Sequence, residues 1–138
     1  MEKLVFVVED DEVQQKILKH YFTQLDGNYV VRPFVNPEDL YNNLSEKPYA
    51  VVLDHFFAGT SKTGVDYLKV IKKQHSKVPV IYYTALTDEK ITKEVMDLGA
   101  EQYIIKDSAS LIRLRTALDV IHDKKNRKSF FQKLFRSN

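Results

Sequence analysis

Five short runs of apolar residues, separated by segments of helical period, constrain this chain more than any other feature. The runs are Lys3–Val8, Tyr29–Phe34, Ala50–Leu53, residues 78–83 and Gln102–Ile105. Each is rich in Val, Ile, Tyr or Phe, side chains that suit a pleated surface. All but the second are nearly continuous, as expected of strands covered on both faces. Between them, Val13, Ile17, Leu18, Tyr21, Phe22 and Leu25 follow a helical stripe. Asn36 and Pro37 are a cap and first-turn pair opening a second helix over 38–45. Val65, Leu68 and Ile71 mark a third over 64–75. Thr87 and Asp88 open a fourth over 89–98, which Gly99 closes. Ser108 or Ser110 opens the last. Strand and helix alternate with short connections. The pattern predicts an α/β fold, a doubly wound, five-stranded parallel sheet with helices on both faces.

A chain of 138 residues suits a single domain with one core. It has no cysteine, which excludes thiolate chemistry, disulfides and cysteine-based zinc sites. No apolar run is long enough to cross a membrane, and no secretory signal is visible, so a cytoplasmic protein is expected. The formal net charge of +2 divides unevenly. Residues 122–138 hold six of the 21 basic groups and one of the 19 acidic ones, a net of +5. The other 121 residues hold the remaining 15 basic and 18 acidic groups, a net of −3. The chain is an acidic body with a basic extension.

In such a sheet, ligands bind beyond the carboxyl ends of the strands. Glu9, Asp10 and Asp11 follow the first strand and Asp54 the third. Thr84 and Ala85 follow the fourth, and Lys106 the fifth. Carboxylates gathered on one rim repel one another and call for a cation. Their oxygen donors suit Mg2+ or Mn2+ better than zinc. A lysine and a hydroxyl beside such a cation suit a phosphoryl group, with a central carboxylate as its acceptor. His55, beside that carboxylate, reads as a packed or exposed strand-end residue. Gly59 and Gly64 imitate the start of a phosphate-binding loop, but Val65 and Asp66 follow where Lys and Ser/Thr are required.

Val7-Val8-Glu9-Asp10-Asp11, Val51-Val52-Leu53-Asp54, Tyr83-Thr84-Ala85 and Tyr103-Ile104-Ile105-Lys106 resemble the motifs of the receiver domain of bacterial two-component response regulators. The resemblance covers about residues 3–122 and implies a flavodoxin-like, three-layer sandwich with strand order 2-1-3-4-5 and five helices. It implies a phosphorylation-controlled signalling switch, not an enzyme with an external substrate, that catalyses its own phosphotransfer and autodephosphorylation. Asp54 would be the phosphoacceptor. Glu9, Asp10, Asp54 and the backbone carbonyl of Phe56 would hold Mg2+, with Asp11 a helix cap. Thr84, Ala85 and Lys106 would bind the phosphoryl group, and Thr84 and Tyr103 would switch. The donor would be a histidine kinase or histidine phosphotransfer protein, and the output a protein contact with a downstream target. The alternative is a receiver-like interaction module that is never phosphorylated.

Two departures stand out. Asp107 follows Lys106 where the family commonly has proline, and the loop after Asp54 is longer, with its glycine at position 64. The domain is expected over residues 1–122, with a basic-aromatic C-terminal extension over 123–138. In the last helix Leu111, Leu114, Leu118 and Ile121 form one stripe. Phe130, Phe131, Leu134 and Phe135 form another about 150° around. If the helix runs through, the aromatic stripe faces away from the body; if it breaks at 126–129, the extension folds back. A frayed solvated end, a docking or homodimer element, and weak contact with anionic membrane stay open. Seventeen residues are too few for a DNA-binding output domain.

Overall fold

The computed structural model describes residues 1–136. Its sheet contains β1 (Lys3–Val8), β2 (Tyr29–Phe34), β3 (Ala50–Leu53), β4 (Val80–Thr84) and β5 (Gln102–Ile105) in the order β2-β1-β3-β4-β5. Every neighbouring pair is parallel. Among the described residues there are four α-helices: α1 (Glu12–Gln24), α2 (Gly64–Gln74), α3 (Glu89–Asp97) and α4 (Ser110–Arg136). Alternate residues of each central strand serve opposite layers. Phe6, Val8, Val51 and Leu53 pack with Leu68 and Ile71 of α2 and Val95 of α3. Val5, Val7 and Val52 pack with Leu18 and Phe22 of α1 and with Leu114 and Leu118 of α4. Both faces are thus covered, which explains why β1, β3 and β4 read as continuous apolar runs. Edge strand β2 alternates in burial and carries Pro33, a residue suited to an edge.

Three expectations require correction. No α-helix forms over 38–45. Short 3₁₀ turns at Pro37–Leu40 and Leu44–Glu46 take its place, leaving four α-helices among the described residues rather than five. Asn36 caps the first turn as expected, accepting from Glu38 N at 3.0 Å. However, the Asn43 amide donates to the Asp39 carbonyl at 2.8 Å, and Lys47 turns left-handed at φ 53° just before Pro48. Asparagine competing for backbone bonds, with a proline close behind, leaves too few residues for a stable helix. The apolar stripe of α1 is only partly used: Leu18 and Phe22 are buried, but Val13 and Ile17 are exposed and Gln15 is buried instead. Finally, β4 starts at Val80 rather than 78, because Pro79 has no N–H and joins the sheet only through its carbonyl, which accepts from Val51 N at 2.9 Å. At the other end, Thr84 pairs with Ile105 and so ends the strand rather than following it.

The last helix does not break. It runs from Ser110 to Arg136, across the boundary expected at residue 122, and Phe130, Phe131 and Phe135 are exposed. Among the described residues no peptide bond is cis, so the Lys106–Asp107 bond is trans. Asp107 organises the start of α4. Its carboxylate accepts from Ala109 N and pairs with Arg113, both at 2.9 Å, and its carbonyl accepts from the Ser110 hydroxyl at 2.9 Å.

Candidate functional site

The rim at the carboxyl ends of β1, β3 and β5 gathers Glu9, Asp54 and Lys106. The Lys106 ammonium donates to Glu9 Oε2 at 2.6 Å and to Asp54 Oδ2 at 2.9 Å. Both carboxylates are buried. The ammonium also lies over the Tyr83 ring, 5.3 Å from its centroid, and Tyr83 is held by a 2.9 Å bond to Ser110 Oγ. The backbone of Glu9 is fixed by Gln15, whose amide donates to its carbonyl at 2.5 Å. Asp54 Oδ1 accepts from His55 N at 2.7 Å. Each acidic group is therefore oriented by fixed donors from neighbouring elements.

The charges do not balance, since one ammonium serves two carboxylates. Burial, and then the adjoining Asp54 carboxylate, push Glu9 up to about 7 against the pull of Lys106. Burial alone would lower Lys106, but hydrogen bonds to Glu9 and Asp54 and their charges outweigh it and raise the group. A buried pair of hard oxygen donors short of positive charge fits a divalent cation such as Mg2+. A third carboxylate does not join the pair. Asp10 Oδ2 accepts from Ala58 N at 2.7 Å, and among the described residues no three acidic, His or Cys side chains converge on one point. Asp11 caps α1, accepting from Val13 N at 2.9 Å and Gln14 N at 3.3 Å.

Glu9 yields a pH prediction. An acid whose folded value lies above its ordinary 4.5 destabilises the fold while ionised, so the cation-free protein loses stability as pH rises from about 4.5 to about 7, with no further loss above. Glu9→Gln is expected to remove that loss. In urea denaturation without divalent cations, the variant gains about 1–3 kcal/mol over the parent near pH 8 and converges with it near pH 4. A difference independent of pH contradicts the assignment.

The remaining rim residues are close but separately held. Thr84 is buried, and its hydroxyl accepts from Leu86 N at 3.2 Å. Ala85 is exposed beside it. The half-buried Tyr103 donates to the Leu86 carbonyl at 2.7 Å, so the loop after β4 touches both residues. The Phe56 ring is exposed and packs edge-on against His55 with centroids 4.6 Å apart.

Several contributors escaped the sequence. His55 is packed, one of its two expected placements, but its partner was not foreseen: its Nδ1 shares a 2.5 Å hydrogen bond with the Tyr82 hydroxyl. Burial pushes the imidazole below its ordinary value despite the Asp54 charge. Burial also pushes the Tyr82 phenol well above its ordinary value, so it keeps its proton. The Tyr82 ring stacks on Tyr103 with centroids 5.4 Å apart. Gly64 begins α2 directly against Asp54, with its N–H donating to the His55 carbonyl at 2.8 Å. A polar Gln15 within the apolar stripe of α1 was the one available signal that a side chain would bond the Glu9 backbone.

Comparison with known proteins agrees with this fold. Residues 5–119 match the model of the response regulator receiver domain. The Probable C4-dicarboxylate response regulator DctR of Bacillus subtilis is 32% identical over 116 residues, which cover 83% of this chain and 50% of that protein. The transcriptional regulatory protein MalR of the same organism is 29% identical over 115 residues, covering 83% and 48%. Among solved structures, the BeF3-activated DrrB receiver domain superposes with a TM-score of 0.71 at 26% identity, covering 86% of this chain and 99% of that one. The signal receiver domain of a Vibrio parahaemolyticus Luxo repressor protein reaches a TM-score of 0.81 at 20% identity, covering 95% and 98%, a likeness of fold. The five-stranded parallel sheet in the order β2-β1-β3-β4-β5 is the fold of these receiver domains. The chain belongs to the response regulator receiver domain family of two-component systems. It spans about half the length of the curated relatives it matches. Among the described residues, no helix is long and apolar enough to cross a membrane.

Proposed function

We propose that Asp54 accepts a phosphoryl group from a phosphohistidine of a histidine kinase or histidine phosphotransfer protein, and that the acyl phosphate controls contact with a downstream protein. One observation carries the reading: the Lys106 ammonium sits 2.9 Å from Asp54 on an acidic rim at the strand ends. In the transfer, a carboxylate oxygen of Asp54 attacks phosphorus, the P–N bond breaks, and the imidazole leaves with its electron pair. Lys106 stays in place to balance charge on the phosphoryl oxygens. Glu9, Asp10, Asp54 and the Phe56 carbonyl would hold Mg2+, which when bound neutralises the crowded carboxylates and the incoming oxygens. The Thr84 hydroxyl exchanges its bond from Leu86 N for one to the phosphoryl group, with Ala85 beside it. Because Tyr103 holds the same loop through the Leu86 carbonyl, the change reaches the face built from α3, β5 and α4.

The test is intact mass measurement after incubation with acetyl phosphate and Mg2+. A gain of one phosphoryl group is expected in the parent and none in Asp54→Asn. No gain in the parent, under conditions that label another receiver domain, overturns the reading and leaves an unphosphorylated interaction module.

A further inference from the structure

We propose that residues 124–136 of α4 form a binding surface for anionic phospholipid. The inference stands on residues away from the acidic rim and does not depend on phosphoryl transfer to Asp54.

The topology sets where this surface lies. In a parallel α/β sheet each helix returns antiparallel to its strands, so α4 travels from the rim toward their amino-terminal ends. It leaves the body at Lys124 and Lys125. Lys124 pairs with Glu101 at 2.8 Å, just ahead of β5. Lys125 donates to the Tyr49 carbonyl at 3.1 Å, just ahead of β3, with its ammonium 4.1 Å from the centroid of the Tyr49 ring. Every residue from Asp123 to Arg136 is exposed. The helix beyond Lys125 has room to extend roughly 16 Å, at 1.5 Å per residue.

From Lys128 onward the helix is two-sided. At 100° per residue, Phe130, Phe131, Leu134 and Phe135 share one side and Lys128, Ser129, Gln132, Lys133 and Arg136 share the other, while Lys124 and Arg127, in the turns before, fall on the aromatic side nearer the body. Phe130, Phe131 and Phe135 are 62%, 52% and 71% exposed. Residues 124–136 carry six basic groups and no acid. Lys77 lines one cleft with Lys124, Lys125 and Lys128, which adds positive charge at the same end of the domain.

The chemistry selects the occupant. Two copies of this segment meeting each other would bring twelve like charges together, so charge opposes a helix-to-helix dimer. A nucleic acid duplex would take the lysines but has no apolar seat for three phenylalanines. An anionic bilayer surface satisfies both sides: the rings enter the boundary of the acyl chains while Lys and Arg reach the headgroup phosphates. The surface lies at the end of the sheet opposite Asp54, so both regions can be engaged together.

The test is co-sedimentation of the full chain with vesicles of phosphatidylcholine alone, or of phosphatidylcholine with about a third phosphatidylglycerol. Binding to the anionic vesicles is expected to be stronger on the order of tenfold or more and to be lost at about 0.5 M salt. Phe131→Ser with Phe135→Ser should abolish it without changing Tm, since both rings are exposed, and Lys128→Gln with Lys133→Gln should weaken it. Failure to bind anionic vesicles at low salt overturns the proposal, as does undiminished binding by the double serine variant. A phenylalanine-dependent dimer seen by light scattering without lipid overturns it in favour of a second copy. Duplex binding without vesicle binding overturns it in favour of nucleic acid. Phosphoryl uptake in solution is expected to be the same in all these variants, which separates this test from that of the acceptor role.

Discussion

Replacing Gly64 by alanine is expected to cost about 3 kcal/mol or more of stability and to impair phosphoryl uptake with it. A Cβ at this position would lie 2.1 Å from the Asp54 carbonyl oxygen and 2.5 Å from the Tyr82 hydroxyl. Neither neighbour has room to give. The Asp54 backbone is tied to β1 through its N–H and the Val8 carbonyl at 3.2 Å, and Tyr82 is fully buried between His55 and Tyr103. Gly64 is equally fixed, by its bond to the His55 carbonyl and by the start of α2, where Asp66 accepts from Thr63 N at 2.9 Å. The methyl group would force the end of β3 and the start of α2 apart, carrying the Asp54 carboxylate with them. Urea denaturation and the acetyl phosphate assay check both halves. Gly59→Ala is the control: open space surrounds that position, and only its φ of +77° disfavours a side chain, at about 1 kcal/mol. A Gly64→Ala protein as stable as the Gly59→Ala protein refutes the close approach.

Lys106→Met is expected to cost about 2–4 kcal/mol near pH 8, where it leaves Glu9 and Asp54 buried without a counter-charge. The loss has a distinctive pH dependence. Glu9 already titrates at about 7, and losing the ammonium drives it higher, so the variant recovers as pH falls and Glu9 takes up a proton. Mg2+ at millimolar concentration is expected to restore part of the stability near pH 8, since a cation replaces the missing charge. Denaturation at pH 8 and near 5.5, with and without Mg2+, distinguishes this from lost packing of the lysine stem. A loss indifferent to both pH and cation refutes the charge account. The two variants fail for different reasons, Gly64→Ala by volume and Lys106→Met by charge.

The sheet and its rim were legible because strands buried on both faces leave continuous apolar runs, and the residue after each run must lie at a strand end. Asp54 and Lys106 follow from that rule alone, and Glu9 lies one step beyond β1. Features that depend on distances across the fold were not legible. Nothing local separates Gly64 from a loop glycine; its importance comes from the carbonyl of Asp54, ten residues away. Nothing near His55 announces Tyr82, 27 residues on. The 38–45 helix failed because capping signals at Asn36 and Pro37 say where a helix begins but not whether the following asparagines let it continue. Val13 and Ile17 were assigned to the core by period alone, yet which side of α1 meets the sheet is settled by Gln15 reaching the Glu9 carbonyl. The continuity of α4 was equally open, since its two apolar stripes fit a straight or a broken helix.

That continuity makes α4 a single rod. Its first turn is bonded to Asp107, the residue next to Lys106, and its far end stands roughly 40 Å away at 1.5 Å per residue. The helix is packed on the sheet as far as Ile121 and tied to the body at Lys124 and Lys125, so it cannot pivot freely at its base. A shift of the whole layer near Lys106 would instead be carried along one continuous rod to Arg136, where roughly the last 16 Å projects beyond the body.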